Sequence, residues 1–143
     1  HVNIGVILAR KGQFEAAINF FETAIKCDKS YSMAYFNCAT ALKINGDKTK
    51  SLNYYSKAIE LEPRNTQYLI FRGVLFLDMG DNENAIQDFS NAIALDSNGT
   101  DVFYLRSAAY SKLNQLEKAR SDAHQAKFNG YPVPEEYMQQ LMK

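Results

Sequence analysis

The chain repeats one pattern of residues at an interval of 34 positions. Gly12, Gly46, Gly80 and Asn114 are separated by this interval, and four segments align on them without a gap. The segments read GQFEAAINFFETAIKC, GDKTKSLNYYSKAIEL, GDNENAIQDFSNAIAL and NQLEKARSDAHQAKFN. Because self-similarity at a fixed interval of about 20–50 residues marks repeat architectures, this feature constrains the fold more than any single motif does.

Each repeat is predicted to be a pair of amphipathic helices joined by a tight turn. Apolar residues recur at three- and four-residue spacing on both sides of the turn residue, which is the spacing of one helix face. A glycine at the turn suits the end of the first helix. One such hairpin cannot bury its apolar face alone, whereas stacked copies form a continuous core. The repeat therefore predicts an all-α fold in which each hairpin packs against its neighbours.

Small side chains recur at three places in the repeat. They let helix axes approach closely, and bulky residues such as Leu8, Phe76 and Phe89 fill the space beside them. The small residues are Gly5, Ala39, Gly73 and Ser107 in the first helix, and Ala17, Ser51, Ala85, Ala119, Ala24, Ala58, Ala92 and Ala126 in the second.

This pattern resembles the tetratricopeptide repeat, and the resemblance covers residues 1 to about 131. The third repeat carries it best, and the second adds Pro63 near its end; Ser51, Asn114 and Ala123 depart from it. The resemblance implies an α-solenoid, a right-handed superhelix of four helical hairpins. The predicted divisions of this single domain are repeat one at 1–31, truncated at its N-terminus, repeat two at 32–65, repeat three at 66–99, repeat four at 100–133, and a capping helix at 134–143.

The segment PVPEEYMQQLMK predicts that capping helix. Pro134 suits a first helical turn, and the two glutamates that follow are favourable at the positive end of a helix. Tyr137, Met138, Leu141 and Met142 form the predicted apolar stripe. At the other end, the first helix begins late in the repeat frame, which indicates that the array continues upstream.

Composition excludes several classes of partner. The chain has 16 Lys plus Arg and 16 Asp plus Glu, so it lacks the basic field that attracts nucleic acid. The most apolar run, YLIFRGVLFL, is about half a membrane span and contains Arg72, which argues against membrane insertion. Cys27 and Cys38 have no disulfide-framework or metal-site spacing, and we interpret them as reduced, mostly buried residues of an intracellular, cytoplasmic protein.

Catalysis is not predicted. His124 lies beside Ser121 and Asp122, but three residues from one helical turn cannot provide the geometry of a catalytic triad. The sequence has no cluster with metal-ligand spacing and no glycine-rich phosphate loop, so no metal or cofactor is expected.

Two residues of the repeat change together. The pairs are Ile4 with Phe20 and Cys38 with Tyr54 in the first two repeats, then Arg72 with Asp88 and Arg106 with Asp122. Both members become charged at once, and they lie on facing helices of one hairpin. We therefore predict two structural ion pairs, Arg72–Asp88 and Arg106–Asp122.

The resemblance further implies that the first helices line a concave surface that binds peptides. The residues predicted to contact a partner there are Asn3, Val6, Met33, Phe36, Asn37, Thr40, Ile70, Phe71, Val74, Tyr104, Leu105 and Ala108. This set is unusually apolar, and monomers rarely expose such patches without a use. Only Asn37 fits the clamp that family members use for acidic chaperone tails, so an apolar peptide or amphipathic segment is the predicted partner.

Specific roles follow from this surface. Phe36, Phe71 and Tyr104 are the predicted anchors, while Asn3 and Asn37 are predicted to hold the backbone of an extended ligand through their amides. The chain is thus interpreted as an adaptor or scaffold module. In the alternative, another copy, an upstream repeat or a segment folding back covers the aromatic residues, and the module self-associates or serves as a spacer in a larger multi-repeat protein.

Overall fold

The computed structural model of this chain describes the backbone of residues 1–143 and the side chains of all of them except Thr100. Regular structure in the described residues is helical throughout. The helices are α1 (Val2–Arg10), α2 (Phe14–Cys27), α3 (Ser32–Ile44), α4 (Lys48–Leu61), α5 (Thr66–Met79), α6 (Asn82–Leu95), α7 (Thr100–Lys112), α8 (Leu116–Phe128) and α9 (Glu135–Leu141). They form two compact units, residues 1–68 and residues 69–143.

The turns within the hairpins depend on a left-handed backbone residue. Gly12, Gly46 and Gly80 have φ angles of 77°, 95° and 81°. Asn114 takes the same place in the last hairpin with a φ of 57°. Asparagine tolerates this conformation better than most residues with a Cβ atom. The departure from glycine at Asn114 therefore leaves the turn geometry unchanged.

In the first unit, α2 lies against both α1 and α3, and α3 packs on α4. Its core joins Ala17, Ile18 and Phe21 of α2 to Cys38, Ala41 and Leu42 of α3. A side chain at Gly5 would meet the Phe21 ring, since an added Cβ atom would lie 2.6 Å from its Cε1 atom. The small residue at this place therefore lets α1 approach α2 closely, as the pattern predicts.

In repeat two, serine replaces alanine at one of the positions held by small residues, and its hydroxyl makes a hydrogen bond. The Ser51 hydroxyl donates to the Ala39 carbonyl oxygen at 2.7 Å. In the last hairpin the bond runs the other way between the helices, from the Ser107 hydroxyl of α7 to the Ala119 carbonyl oxygen of α8 at 2.7 Å. Both serines are buried. Because a buried hydroxyl is costly without a partner, these bonds explain why serine fits where the pattern prefers alanine.

In the second unit, α6 packs on α7 and α7 on α8. Phe89 is fully buried opposite Gly73, where an added Cβ atom would lie 2.6 Å from the ring Cε1 atom. The end of the unit is a cluster of α8 alanines and C-terminal residues: Ala119, Ala123, Ala126, Val133 and Leu141.

Helix α9 covers the end of the second unit. Leu141 is buried, and Arg120 Nε donates to the Leu141 carbonyl oxygen at 2.6 Å. The Tyr137 hydroxyl lies 2.8 Å from Ser107 Oγ. Met142, however, is exposed and lies beyond the helix, so the prediction that it belongs to the apolar stripe is wrong. The helix ends at Leu141, and Met142 therefore does not continue its buried face.

The two cysteines differ, which partly overturns the interpretation of both as buried. Cys27 is the last residue of α2 and is exposed, whereas Cys38 is fully buried in the core of the first unit. Burial raises the pKa of the Cys38 thiol to about 12, and the negative charge of Glu22 adds to this effect.

We expect a thiol reagent to distinguish them. A thiol with a pKa near 12 is roughly one part in 10⁴ thiolate at pH 8, and the thiolate is the reactive form. Cys27 should therefore react in the folded protein, and Cys38 only after denaturation. Mass spectrometry after iodoacetamide treatment at pH 8, with and without urea, measures this. Rapid double labelling of the folded protein would contradict the buried position of Cys38.

Candidate functional site

The first unit has a depression between its first helices. It has a volume of about 240 Å³, and its lining includes three residues of the predicted contact surface, Val6, Asn37 and Thr40. The other residues that line it are Ala9, Arg10, Phe14, Phe21, Ala41 and Ile44. Most of these side chains are apolar, and Ile44 is 58% exposed at the rim. Small-molecule pockets usually enclose about 300–1,000 Å³, so this depression suits one or two side chains of a peptide better.

The polar groups of this depression differ in how many hydrogen bonds they have left to offer a ligand. The Thr40 hydroxyl donates to the Phe36 carbonyl oxygen at 3.0 Å and lies 2.9 Å from the Tyr55 hydroxyl. Because a hydroxyl has one hydrogen to donate, Thr40 offers a ligand mainly its methyl group. Asn37 is half buried beside it and carries both a donor and an acceptor, while Arg10 is exposed at the depression and carries a positive charge.

Asn3 lies in a different place from Asn37. It lines a separate depression of about 330 Å³ together with residues that include Cys27 and Tyr31. The two asparagines share one repeat position, yet the structure does not bring them into the same depression. A further depression of about 450 Å³ is formed by residues 12–16, which are the end of the turn and the start of α2, together with Asn45. It contains none of the predicted contact residues.

The predicted anchor Phe36 is not accessible, and this prediction is wrong. Its side chain is 7% exposed. Its ring stacks on that of Tyr68 with centroids 4.9 Å apart and lies 5.7 Å from that of Tyr55. Met33, on the same helix, is exposed instead. The physical reason is that Phe36 faces Tyr68, in the segment that follows its own hairpin. Packing within the first unit therefore buries the Phe36 ring.

The predicted anchor Tyr104 is half buried, and neighbouring rings cover part of it. Its ring stacks on that of Tyr131 at 5.0 Å and meets that of Tyr137 edge-on at 5.3 Å. The C-terminal segment of the chain therefore covers part of the Tyr104 ring and leaves the rest accessible. Phe71, the remaining anchor, is exposed in the second unit. Four other predicted contact residues of that unit are half buried: Ile70, Val74, Leu105 and Ala108.

Both charged pairs of the repeat frame form close contacts. Arg72 Nε and Nη2 donate to the two carboxylate oxygens of Asp88, each at 2.8 Å. Arg106 donates to Asp122 from Nε at 2.7 Å and from Nη2 at 2.8 Å. The two aspartates are buried and the two arginines are half buried. These bidentate pairs hold the two helices of a hairpin together in the second unit.

Arg106 contacts several groups besides Asp122. Its Nη1 atom donates to Ser90 Oγ at 3.0 Å, so it links α7 to α6 as well as to α8. The guanidinium also lies 5.7 Å from the ring centroids of Phe103 and Tyr110. The hydrogen bond to Asp122 is the main cause that raises the pKa of Arg106. Asp122 is thus committed to a structural contact, although it lies beside His124 in the sequence.

Sequence reasoning did not select all the residues that line the depression of the first unit. Phe14 was missed because it begins α2, whereas the contact surface was assigned to first helices. The corresponding residues of the other three repeats are Lys48, Asn82 and Leu116, so only repeat one has an aromatic residue at this place. That difference is the signal that could have identified it.

The described residues also bear on metal sites and membrane spans. Among the side chains that the structure describes, no three His, Cys, Asp or Glu residues are placed to hold a metal ion. In the same part of the chain, the helices are too short or too polar to cross a lipid bilayer.

Comparison with family models identifies the repeat. Models described as tetratricopeptide repeat match residues 1–31 and residues 39–100. Among solved structures, a fragment of MamA from Desulfovibrio magneticus RS-1 superposes with a TM-score of 0.87 at 22% identity, covering 97% of this chain and 78% of that one. YrrB, described as a tetratricopeptide-repeat protein with an unusual peptide-binding site, gives a TM-score of 0.80 at 17% identity over 90% of this chain and 66% of that one.

Curated relatives share shorter stretches. A UDP-N-acetylglucosamine–peptide N-acetylglucosaminyltransferase of Giardia intestinalis is 34% identical over 79 residues, which are 53% of this chain and 5% of that enzyme. The photosystem I assembly protein Ycf3 of Cyanophora paradoxa is 31% identical over 77 residues, covering 50% of this chain and 43% of that protein. This chain therefore spans less than half the length of these two relatives.

The family matches, the helical hairpins and the superposition over most of the chain agree with one another. The predicted all-α solenoid fold is confirmed. The chain belongs to the tetratricopeptide repeat family.

Proposed function

We propose that this chain is a protein-interaction module, and that its first unit binds an apolar side chain of a partner in the depression between α1 and α3. The observation that carries the proposal is the depression itself, in which an apolar floor lies beside the amide of Asn37 and the exposed side chain of Ile44. An apolar contact fixes a peptide side chain by burial, and an amide can bind the adjacent backbone. The description of YrrB as peptide-binding supports this reading.

The positive charge at the depression indicates a further chemical feature of the expected ligand. Arg10 is exposed there, and the other lining residues are uncharged. A carboxylate next to the apolar side chain of the ligand would therefore be favoured over a cation by charge complementarity. Because an exposed charge contributes mainly to specificity and rate of association, the apolar contact remains the principal source of affinity.

A peptide selection tests this function. We expect random 12-residue peptides selected on the whole chain to be enriched in bulky apolar residues. Ile44→Glu should weaken their binding about 10-fold or more, because it replaces an apolar contact at the rim of the depression with a charge. Met79→Glu is the matched control, since Met79 is exposed at the end of α5 in the second unit. Fluorescence anisotropy with labelled peptides measures both variants.

Two results would count against the proposal. Selected peptides that bind Ile44→Glu and wild type equally would place the site elsewhere. A wild-type chain that light scattering shows to be a dimer, and that Phe71→Glu makes monomeric, would favour self-association through the second unit. Asn37→Ala provides a finer measurement, since loss of the amide should weaken binding of extended peptides without altering the fold.

A further inference from the structure

Asparagine is followed by glycine at three places in the chain, Asn45–Gly46, Asn98–Gly99 and Asn129–Gly130. Asparagine is among the chemically labile residues of proteins. It loses its side-chain amide when the backbone nitrogen of the next residue attacks its Cγ atom, and a glycine, which has no Cβ atom, hinders this attack least. The reaction requires that the glycine N–H gives up its proton and that the asparagine backbone rotates. The fold therefore controls the reaction through the hydrogen bonds that hold each dipeptide.

Two of the dipeptides lie in the turns that end α3 and α8. The Gly46 N–H donates to the Lys43 carbonyl oxygen at 3.2 Å. The Gly130 N–H donates to the Lys127 carbonyl oxygen at 3.0 Å. The asparagines before these glycines have helical ψ angles of −3° and 0°. Closing a ring between Cγ and the glycine nitrogen would need a large rotation about ψ, which would break these hydrogen bonds, so both turns protect their asparagine.

The third dipeptide, Asn98–Gly99, is held differently. It lies in the connection between α6 and α7, and Asn98 is exposed. At the place of Gly99 in the first two repeats, the N–H groups of Tyr31 and Asn65 donate to the carbonyl oxygen three residues earlier, at 3.4 Å and 3.1 Å. Among the residues that the structure describes, the Gly99 N–H makes no corresponding bond. Attack by the Gly99 nitrogen therefore breaks no backbone hydrogen bond of that group.

We propose that Asn98 is a site of spontaneous deamidation in the folded protein, whereas Asn45 and Asn129 are protected by their turns. The Gly99 nitrogen forms a bond to the Asn98 Cγ atom, the Cγ–Nδ2 bond breaks, and ammonia leaves with the proton of the Gly99 amide. Water then opens the five-membered succinimide at either carbonyl group, which gives aspartate or isoaspartate. Both products add a negative charge beside the N-terminus of α7, where the helix dipole favours it, so the modified chain remains folded. Isoaspartate also lengthens the backbone between α6 and α7 by a carbon atom.

Timed incubation of the folded chain at pH 8 and 37 °C, followed by peptide mass mapping, measures the loss of each asparagine amide. Asn98 should react at least about 10-fold faster than Asn45 and Asn129, because the two turns must open locally before they can react. Labelling with an isoaspartate-specific methyltransferase identifies the isoaspartate product. In guanidinium chloride all three asparagines should react at similar rates, since the turns are then lost.

Gly99→Ala is the matched variant. Gly99 has a φ of −57°, which alanine also adopts, and an added Cβ atom would lie 3.2 Å from the Val102 Cγ2 atom. The methyl group hinders attack on Cγ, so Asn98 should react at least about 10-fold more slowly in both the folded and the denatured variant. Circular dichroism verifies the fold.

Three results would overturn the proposal. The first is loss of the amide at Asn45 or Asn129 as fast as at Asn98 in the folded protein. The second is a preference for Asn98 that persists in guanidinium chloride, because the sequence and not the fold would then determine it. The third is an unchanged rate in Gly99→Ala, which would show that the Gly99 nitrogen is not the attacking group.

Discussion

Replacement of Asp88 by asparagine is expected to lower the free energy of unfolding by about 3–5 kcal/mol. Asp88 is buried and receives two hydrogen bonds from Arg72, whose side chain is 22% exposed. The asparagine side chain is nearly the same size, so little packing is lost. The charge of Arg72 would, however, remain in a largely desolvated place without its counterion. Urea denaturation followed by circular dichroism measures the change.

Two controls separate the ion pair from a general effect of substitution on α6. Glu83→Gln removes an exposed charge from the same helix and should change stability by less than about 0.5 kcal/mol. The double variant Arg72→Leu with Asp88→Leu should be much more stable than Asp88→Asn, because well-packed apolar residues often replace a buried pair at little cost. A loss below about 1 kcal/mol for Asp88→Asn would show that solvent compensates the charge of Arg72.

Removal of the Phe89 ring is expected to cost about 3–5 kcal/mol, the usual range for a fully buried aromatic residue. The same ring also determines the effect of a change at Gly73. In the wild type, Gly73→Ala should destabilise by about 1–3 kcal/mol, since its Cβ atom would lie 2.6 Å from the Phe89 Cε1 atom. In the Phe89→Ala variant, Gly73→Ala should instead stabilise by roughly 0.5–1 kcal/mol, because alanine is the better helix former.

The reversal of sign is the decisive measurement. A cycle of four proteins, wild type, both single variants and the double variant, gives the coupling between the two positions from thermal or urea unfolding. Repeat two has Ala39 and Tyr55 at the corresponding positions, and both are fully buried, so that hairpin accommodates an alanine together with an aromatic residue. If Gly73→Ala stabilised the wild type, the Phe89 ring would have moved aside, and the close approach of α5 to α6 would not depend on glycine.

Local patterns in the sequence were sufficient for much of the fold. The turn residues predict where each hairpin reverses, because glycine and asparagine are the residues that readily adopt a positive φ angle. The small residues predict close approach, as Gly73 beside Phe89 illustrates. Arg72 and Asp88 could be paired in advance since their separation in the repeat places them on facing helices. In each case the information lies within one hairpin and recurs along the chain.

The candidate site was harder to predict because a helix position does not reveal which neighbour covers it. Phe36 and Phe71 occupy adjacent positions of the repeat frame, yet Phe36 packs on Tyr68 and Phe71 is exposed. Tyr104 has the same repeat position as Phe36 but is half buried, with Tyr131 and Tyr137 of the C-terminal segment against its ring. Phe14 joins the depression from a second helix. Accessibility depends on the segments that follow each hairpin, which periodicity does not specify.

The sequence by itself determined the helical hairpins, their turns and the pairs within them, because these depend on residues at constant separation. Only the tertiary structure decided which apolar side chains stay accessible. Ile4 and Ile7 belong to the same pattern as Cys38 and Ala41, but α2 buries the second pair and leaves the first exposed. The physical reason is that burial is a property of two packed surfaces, whereas a sequence pattern describes one of them.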